Sequence, residues 1–154
     1  MTFILPDLKV LISGRKHILK LVSGLSLDQL IKIPRGYKTN VLWNLGHLNA
    51  SQQILHYKLS GLQLSLSDEY ISSFRKGSSP EKWETTPDIE ETKKFFLELP
   101  EKTAEDYQNG LFKTFQPYTT STGMELFSIE DSLAFNNFHE GMHCGIIQCM
   151  IKVL

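Results

Sequence analysis

The sequence predicts an all-α protein, a four-helix bundle forming one domain over residues 1–154. Three observations lead there. Apolar residues recur at helical spacing along four long stretches, no stretch alternates convincingly in the manner of a strand, and there is no internal repeat. A chain of 154 residues also suits one core.

Leu8, Leu11, Ile12, Ile18, Leu19, Val22 and Leu25 carry the first helix, with Gly14 weakening the pattern. Apolar character continues from Leu27 to Ile33 and stops at the turn signal Pro34-Arg35-Gly36. Thr39 or Asn40 can cap the second helix, which runs from Val41 to Ser60 and ends at the C′ glycine Gly61. Leu45, Leu48, Leu55, Leu59 and Leu62 line one of its faces, and Trp43, His47, Ala50 and Ile54 an adjacent stripe. So broad an apolar surface belongs inside a bundle. Ser67-Asp68-Glu69 opens a short helix reaching Phe74, and residues 75–87, with Gly77, Ser78, Ser79, Pro80 and Pro87, read as a loop.

Asp88 starts the third long helix, whose acidic first turn suits the helix dipole. It carries Ile89, Phe95, Phe96, Leu99, Tyr107 and Leu111, and Pro100 inside it predicts a kink or a break. Residues 112–127 read as a loop containing Phe115, Pro117, Tyr118, a Thr/Ser cluster from Thr119 to Thr122, and Gly123. Ser128-Ile129-Glu130-Asp131 forms a capping box with the shorter Asp in place of Glu, and the fourth helix runs from it to the C-terminus.

The balance of 16 basic and 17 acidic residues leaves a net charge of −1. No basic field points to nucleic acid and no polybasic run to an anionic membrane. The start, Met1 to Asp7, lacks the basic region and long apolar run of a secretory leader. The closing run from Gly141 to Leu154 is too short to span a membrane and reads as a buried helix. Cys144 and Cys149 sit five apart on one helix and point in different directions. They read as two reduced core thiols of a cytoplasmic protein.

The chemistry concentrates in His139-Glu140-Gly141-Met142-His143. Two imidazoles four residues apart project from one helix face, with Cβ atoms roughly 5–6 Å apart, and can share one metal ion. The run fits the H-E-x-x-H of zinc peptidases and also a plain H-x-x-x-H pair in a bundle. A catalytic zinc or nickel site needs three protein ligands and keeps one position for water. The residues from Cys144 to Leu154 contain no His, Asp or Glu, so the third ligand comes from upstream. His47, on the stripe with Trp43 and Ala50, is the first candidate. His56 lies about 180° round the helix from it and is expected on the surface. His17 sits in a less regular helix, and Cys144 lies about 100° round from His143. Both are weaker candidates.

Trp43-Asn44-Leu45-Gly46-His47-Leu48 in the second helix, its end Leu59-Ser60-Gly61, and Phe138-His139-Glu140-Gly141-Met142-His143-Cys144-Gly145 near the C-terminus together resemble the DinB-like superfamily of small metal-binding four-helix bundles, the DinB/YfiT-like fold. The similarity spans nearly the whole chain in order and spacing. It implies a divalent metal, zinc or nickel, held by His47, His139 and His143. Members include bacillithiol S-transferases and mycothiol-dependent maleylpyruvate isomerases, so the resemblance implies a low-molecular-weight thiol as co-substrate, and frequently a homodimer. The family often carries glutamine after the glycine of the second motif. Here Ile146 follows Gly145, and that role is missing or falls to Gln148.

Three readings result. The first is a metal-dependent thiol S-transferase acting on a small-molecule substrate, with Glu140 as a catalytic base or ligand-orienting group. Glu140 lies about 60° round the helix from His143, and its alternative is a solvated helix residue. The second is a non-enzymatic metal-binding or interaction bundle, and the third a small metallohydrolase using His139-Glu140-x-x-His143. Asn44, Asn136 and Asn137 are either ordinary polar helix residues, the slightly favoured reading, or groups that orient the imidazoles. Trp43, Phe115 and Tyr118 are candidates for walling a pocket, or else plain core. Neither nucleic acid nor membrane is expected as a partner.

Overall fold

The computed structural model describes residues 5–154. Residues 1–4, part of the start read above as lacking a leader, lie outside them. The chain forms α1 (Pro6–Val22), α2 (Leu27–Ile31), α3 (Val41–Gln52) continued by a π-helical turn (Gln53–Lys58), α4 (Asp68–Phe74), a 3-10 turn (Pro80–Lys82), α5 (Ile89–Gln108), the strands β1 (Tyr118–Thr119) and β2 (Glu125–Leu126), and α6 (Ile129–Ile151). No described helix is long and apolar enough to cross a membrane.

The four long helices are α1, α3, α5 and α6. α1 packs principally against α5 and α6, and α3 packs against the same two. α1 and α3 therefore occupy one diagonal of the bundle, and α5 and α6 the other. The chain crosses a diagonal through α2 and again through the segment between α5 and α6.

Side-chain caps set the starts. The Asn40 side chain accepts from Trp43 N at 2.7 Å, and Ser67 and Asp88 cap α4 and α5 in the same way. The capping box expected at Ser128 is half formed. Ser128 Oγ accepts from Asp131 N at 3.1 Å, but the shorter Asp131 carboxylate accepts from Phe127 N, one residue before the cap. The helix run beginning with α3 closes through Gly61, whose φ of +70° is a left-handed conformation that glycine adopts without Cβ strain. Residues 112–127, read as loop, hold a small antiparallel hairpin pairing Tyr118 with Leu126 and Thr119 with Glu125. Fully buried Leu126 pins it against Leu55 and Phe135.

Arg15 organises the interior. It is fully buried, on the α1 face shared by Leu8, Leu11, Ile18 and Val22. Its Nε and Nη2 donate to the Glu140 carboxylate of α6, at 2.8 Å for the shortest contact. Nη1 donates to Asn49 Oδ1 at 2.7 Å and Nη2 to the Leu48 carbonyl at 2.9 Å, both on α3. Nη1 also donates to the Phe96 carbonyl of α5 at 3.3 Å, and the guanidinium lies 4.5 Å from the Phe96 ring centroid. One side chain thus ties all four long helices.

The Phe96 contact explains why α5 runs unbroken through Pro100. Proline has no N–H to offer the carbonyl four residues back, and here that carbonyl is Phe96's, satisfied by Arg15. Leu111 falls beyond the helix and is exposed.

Three expectations about burial do not hold. The closing stretch of α6 buries only Ile147 and Met150 from Gly141 onward, and Met142, Ile146 and Val153 are exposed. Cys144 is half-buried and Cys149 exposed, both as free thiols. His56, expected on the surface, is fully buried. The π-helical turn adds a residue to the turn and sets the helix back by about 100°, which rotates His56 inward. Neither ring nitrogen has a hydrogen bond of good geometry, although the Ser132 carbonyl lies alongside.

Burial, then the Arg15 charge, pushes His56 down to about 3, partly offset by that carbonyl. An unfolded histidine protonates near 6.5. Between pH 6.5 and 3 the unfolded chain therefore binds a proton that the folded chain refuses. Stability falls as pH falls through that window, by about 1.4 kcal/mol per pH unit. Urea midpoints of wild type and His56→Leu from pH 7 to pH 4 test this. The variant is expected to lose that part of the slope, and an unchanged slope would assign the acid sensitivity elsewhere.

Candidate metal centre

His47 lies in the second turn of α3, and His139 and His143 lie one turn apart on α6, which packs against α3. Each offers a ring nitrogen, and the three atoms lie within 4.8 Å of one another. His47 and His143 have ring centroids 4.8 Å apart, and His139 and His143 4.6 Å. The candidates His17 and Cys144 do not join the group, and His56 lies apart in the interior.

Two of the rings are oriented from behind. The Phe74 carbonyl lies 2.8 Å from His47 Nδ1, so Nδ1 carries the proton and Nε2 presents its lone pair. Asn44 Oδ1 lies 2.7 Å from His143 Nδ1 and does the same there. The Asn44 amide is itself fixed, because its Nδ2 donates to the Asn40 carbonyl at 2.8 Å and to Thr39 Oγ1 at 3.2 Å. Asn44 thus orients a ring and is not the ordinary polar helix residue that was slightly favoured. Asn136 and Asn137 do not: Asn136 donates toward Glu140 and Asn137 to the Asp7 carbonyl.

Phe74 reaches His47 because residue 46 is glycine. A Cβ on Gly46 would overlap the Phe74 ring, so its absence lets α4 press against α3. Glycine inside a helix immediately before a histidine was a readable sign of close approach. The carbonyl that exploits it carried no such sign. Trp43 stacks on His47 with centroids 4.5 Å apart and planes 10° apart, and Phe135 stacks on His139. Trp43 therefore flanks His47 while belonging to the core with Leu42, Phe74 and Leu99. Phe115 packs with the core near Leu133 and Leu126.

All three histidines favour the neutral form. Burial lowers His47, with the Phe74 carbonyl opposing. Burial, then His47 and Arg15, brings His139 to about 4. Burial, then His139 and His47, brings His143 to about 3. Neutral imidazoles are the form that binds metal.

The donor set fits a divalent cation. His47 Nε2 and His139 Nε2 face each other at 3.3 Å. Two nitrogens of a tetrahedral zinc site, each 2.0–2.1 Å from the metal, lie roughly 3.3 Å apart. His139 Nδ1 is buried without a hydrogen-bond partner, so no group orients that ring from behind. Three neutral histidines leave a fourth position for a further ligand.

Glu140 does not face this group. Both its oxygens bond Arg15, and the residue is buried. The expectation of a catalytic base at Glu140 is corrected accordingly: a carboxylate locked in a buried ion pair on the core side is structural. The helix-wheel separation from His143 was sound, but it could not show that Arg15 waits on α1.

A cavity of about 280 Å³ opens beside the histidines, and His47, Ser51, Phe135, His139, Tyr118 and Arg75 are among its lining residues. Of the two readings offered for Tyr118, pocket wall or plain core, the structure gives the first, delivered by the hairpin. A larger hollow of about 490 Å³ lies against Trp83 and contains none of the three histidines.

The family model described as the DinB superfamily matches residues 11–147. No curated protein matches the sequence. Among solved structures the chain is similar to YfiT from Bacillus subtilis, described as a probable metal-dependent hydrolase with an unusual four-helix bundle topology. The TM-score is 0.63 at 18% identity, covering 95% of this chain and 84% of that one. At that identity the likeness is one of fold.

Proposed function

This chain belongs to the DinB superfamily, and from that membership and its three facing histidines we propose that it is a metal-dependent enzyme of the thiol S-transferase type. The observation that carries the reading is the meeting of His47 Nε2 and His139 Nε2 at 3.3 Å beside His143, with the Ser51 hydroxyl also 3.3 Å from His47 Nε2. His47, His139 and His143 would hold zinc or nickel. When bound there, a divalent cation supplies Lewis acidity and keeps a thiol anionic and nucleophilic at neutral pH.

The chain's own residues do the rest. Phe74 and Asn44 hold the imidazoles in the tautomer that binds. Trp43 and Phe135 screen two of the rings from water by stacking on them. The adjoining cavity admits a small molecule, which argues against a purely structural metal bundle. Hydrolysis is the second reading, favoured by the description of YfiT as a probable metal-dependent hydrolase. It does not run through Glu140, whose oxygens Arg15 occupies.

Elemental analysis of the tag-free protein tests the proposal, beside the triple variant His47→Ala, His139→Ala, His143→Ala. Near-stoichiometric zinc or nickel in wild type and almost none in the variant is the expected result. A wild type that takes up no metal after reloading would overturn it.

A further inference from the structure

We propose that the cavity beside the histidines is built for a small anionic substrate, with Arg75 and Lys76 binding its carboxylate or phosphate group while the rest of the molecule reaches the histidine cluster. This rests on the metal-site reading above and adds the substrate class.

The charge of the cavity wall is the first argument. Arg75 and Lys76 line the same cavity as His47 and His139, and no Asp or Glu lines it. The chain as a whole is slightly acidic, so this is a local excess of positive charge. Ion pairs among the described residues engage Arg15, Lys16, Lys93 and Lys102. Among the described residues the Arg75 and Lys76 side chains make no ion pair and no hydrogen bond. Glu69 and Glu84 border the neighbouring hollow that Arg75 also touches, yet neither pairs with it. Two unpaired cations in one concavity focus attraction on an anion, and the guanidinium fork matches both carboxylate and phosphate.

The second argument is how the cations are placed. Phe74, whose carbonyl orients His47, directly precedes them. Arg75 is extended, with φ −63° and ψ 160°, and Gly77 turns the chain with φ +88°. One short anchored segment therefore both aims a ligand histidine and presents the two charges. Ser51, Thr120 and Ser121 add hydroxyls to the wall, of which Ser51 Oγ bonds His47 Nε2 and Thr120 Oγ1 accepts from Met124 N, and Ile54 and Leu55 add an apolar surface. A volume of about 280 Å³ suits a metabolite rather than a polymer segment. A small thiol bearing carboxylates has both the anionic group and the metal-seeking group that such a wall selects.

Two readouts test the inference without any turnover assay. In the first, inorganic phosphate and succinate are titrated calorimetrically into the metal-loaded protein. Wild type is expected to bind one of them at least about tenfold more tightly than Arg75→Ala/Lys76→Ala. The better anion identifies the group, and Lys9→Ala, on the exposed side of α1, should match wild type. Equal affinity in wild type and the double variant would overturn the inference. In the second, 3-mercaptopropionate and 3-mercapto-1-propanol are titrated into the cobalt(II)-substituted protein, reading the thiolate-to-cobalt absorption band. The carboxylate thiol is expected to saturate at about tenfold lower concentration, with the preference lost in the double variant. A band with no preference overturns the anion site and leaves the thiol reading standing. Anion binding that needs Arg75 and Lys76, without any thiol band, does the reverse.

Discussion

Arg15→Ala is expected to destabilise the bundle by about 3–5 kcal/mol, the range for removing one partner of a buried ion pair. That is a large share of the 5–15 kcal/mol typical of a domain. The variant leaves Glu140 charged and buried, and it strips donors from Asn49, Leu48 and Phe96 together. The Phe96 carbonyl fares worst, because Pro100 cannot supply the missing N–H. Urea denaturation reads the loss as a shifted midpoint. The double variant Arg15→Met/Glu140→Met should recover much of it, since two apolar side chains leave no orphaned charge. A single Arg15→Ala variant within about 0.5 kcal/mol of wild type would mean that the network contributes nothing, and Glu140 would then be free for another role.

Gly46→Ala separates propensity from packing by the sign of its effect. Alanine in a helix interior is better than glycine by roughly 0.5–1 kcal/mol. At this position the added methyl meets the ring of Phe74, itself fully buried. Overpacking of that kind typically costs about 1–3 kcal/mol, so the variant should melt below wild type. It should also lose metal, because pushing Phe74 away moves the carbonyl that orients His47. Melting temperature and metal content measured on one preparation decide it. Gly46→Ala/Phe74→Leu should regain part of the stability. A Gly46→Ala protein that is more stable and fully metallated would remove the link between this glycine and the site.

Much of the bundle was legible in the sequence because helices announce themselves locally. Leu8, Leu11, Ile18 and Val22 marked α1, and Asn40, Ser67, Asp88 and Ser128 marked starts that do carry caps. His47, His139 and His143 were readable as a group because two of them share a helix face and the third lies on an inward stripe. What escaped was long-range. Glu140 sits in a motif that suggests a base, and its partner Arg15 is 125 residues away. Arg15 itself stands three and four residues from apolar neighbours on the buried face, a position where a cation is a warning of an interior partner. His56 was misplaced because a helical wheel assumes one constant turn, and the π-helical turn breaks that assumption. The cations at 75 and 76 looked like ordinary loop residues until the fold set them beside the histidines.

The two diagonal crossings also bear on how the chain finds this arrangement. In an up-and-down bundle, consecutive helices can zip together as hairpins while the remainder is still unfolded. Here α1 has its main partners in α5 and α6, and α3 has the same two, so neither early helix packs chiefly on the other. The contacts that reward collapse must close long loops first, which slows barrier crossing relative to a helical protein with local pairings. His47 and His139 are 92 residues apart, so a metal held by both would close one of these long loops and stabilise the folded chain over the unfolded one.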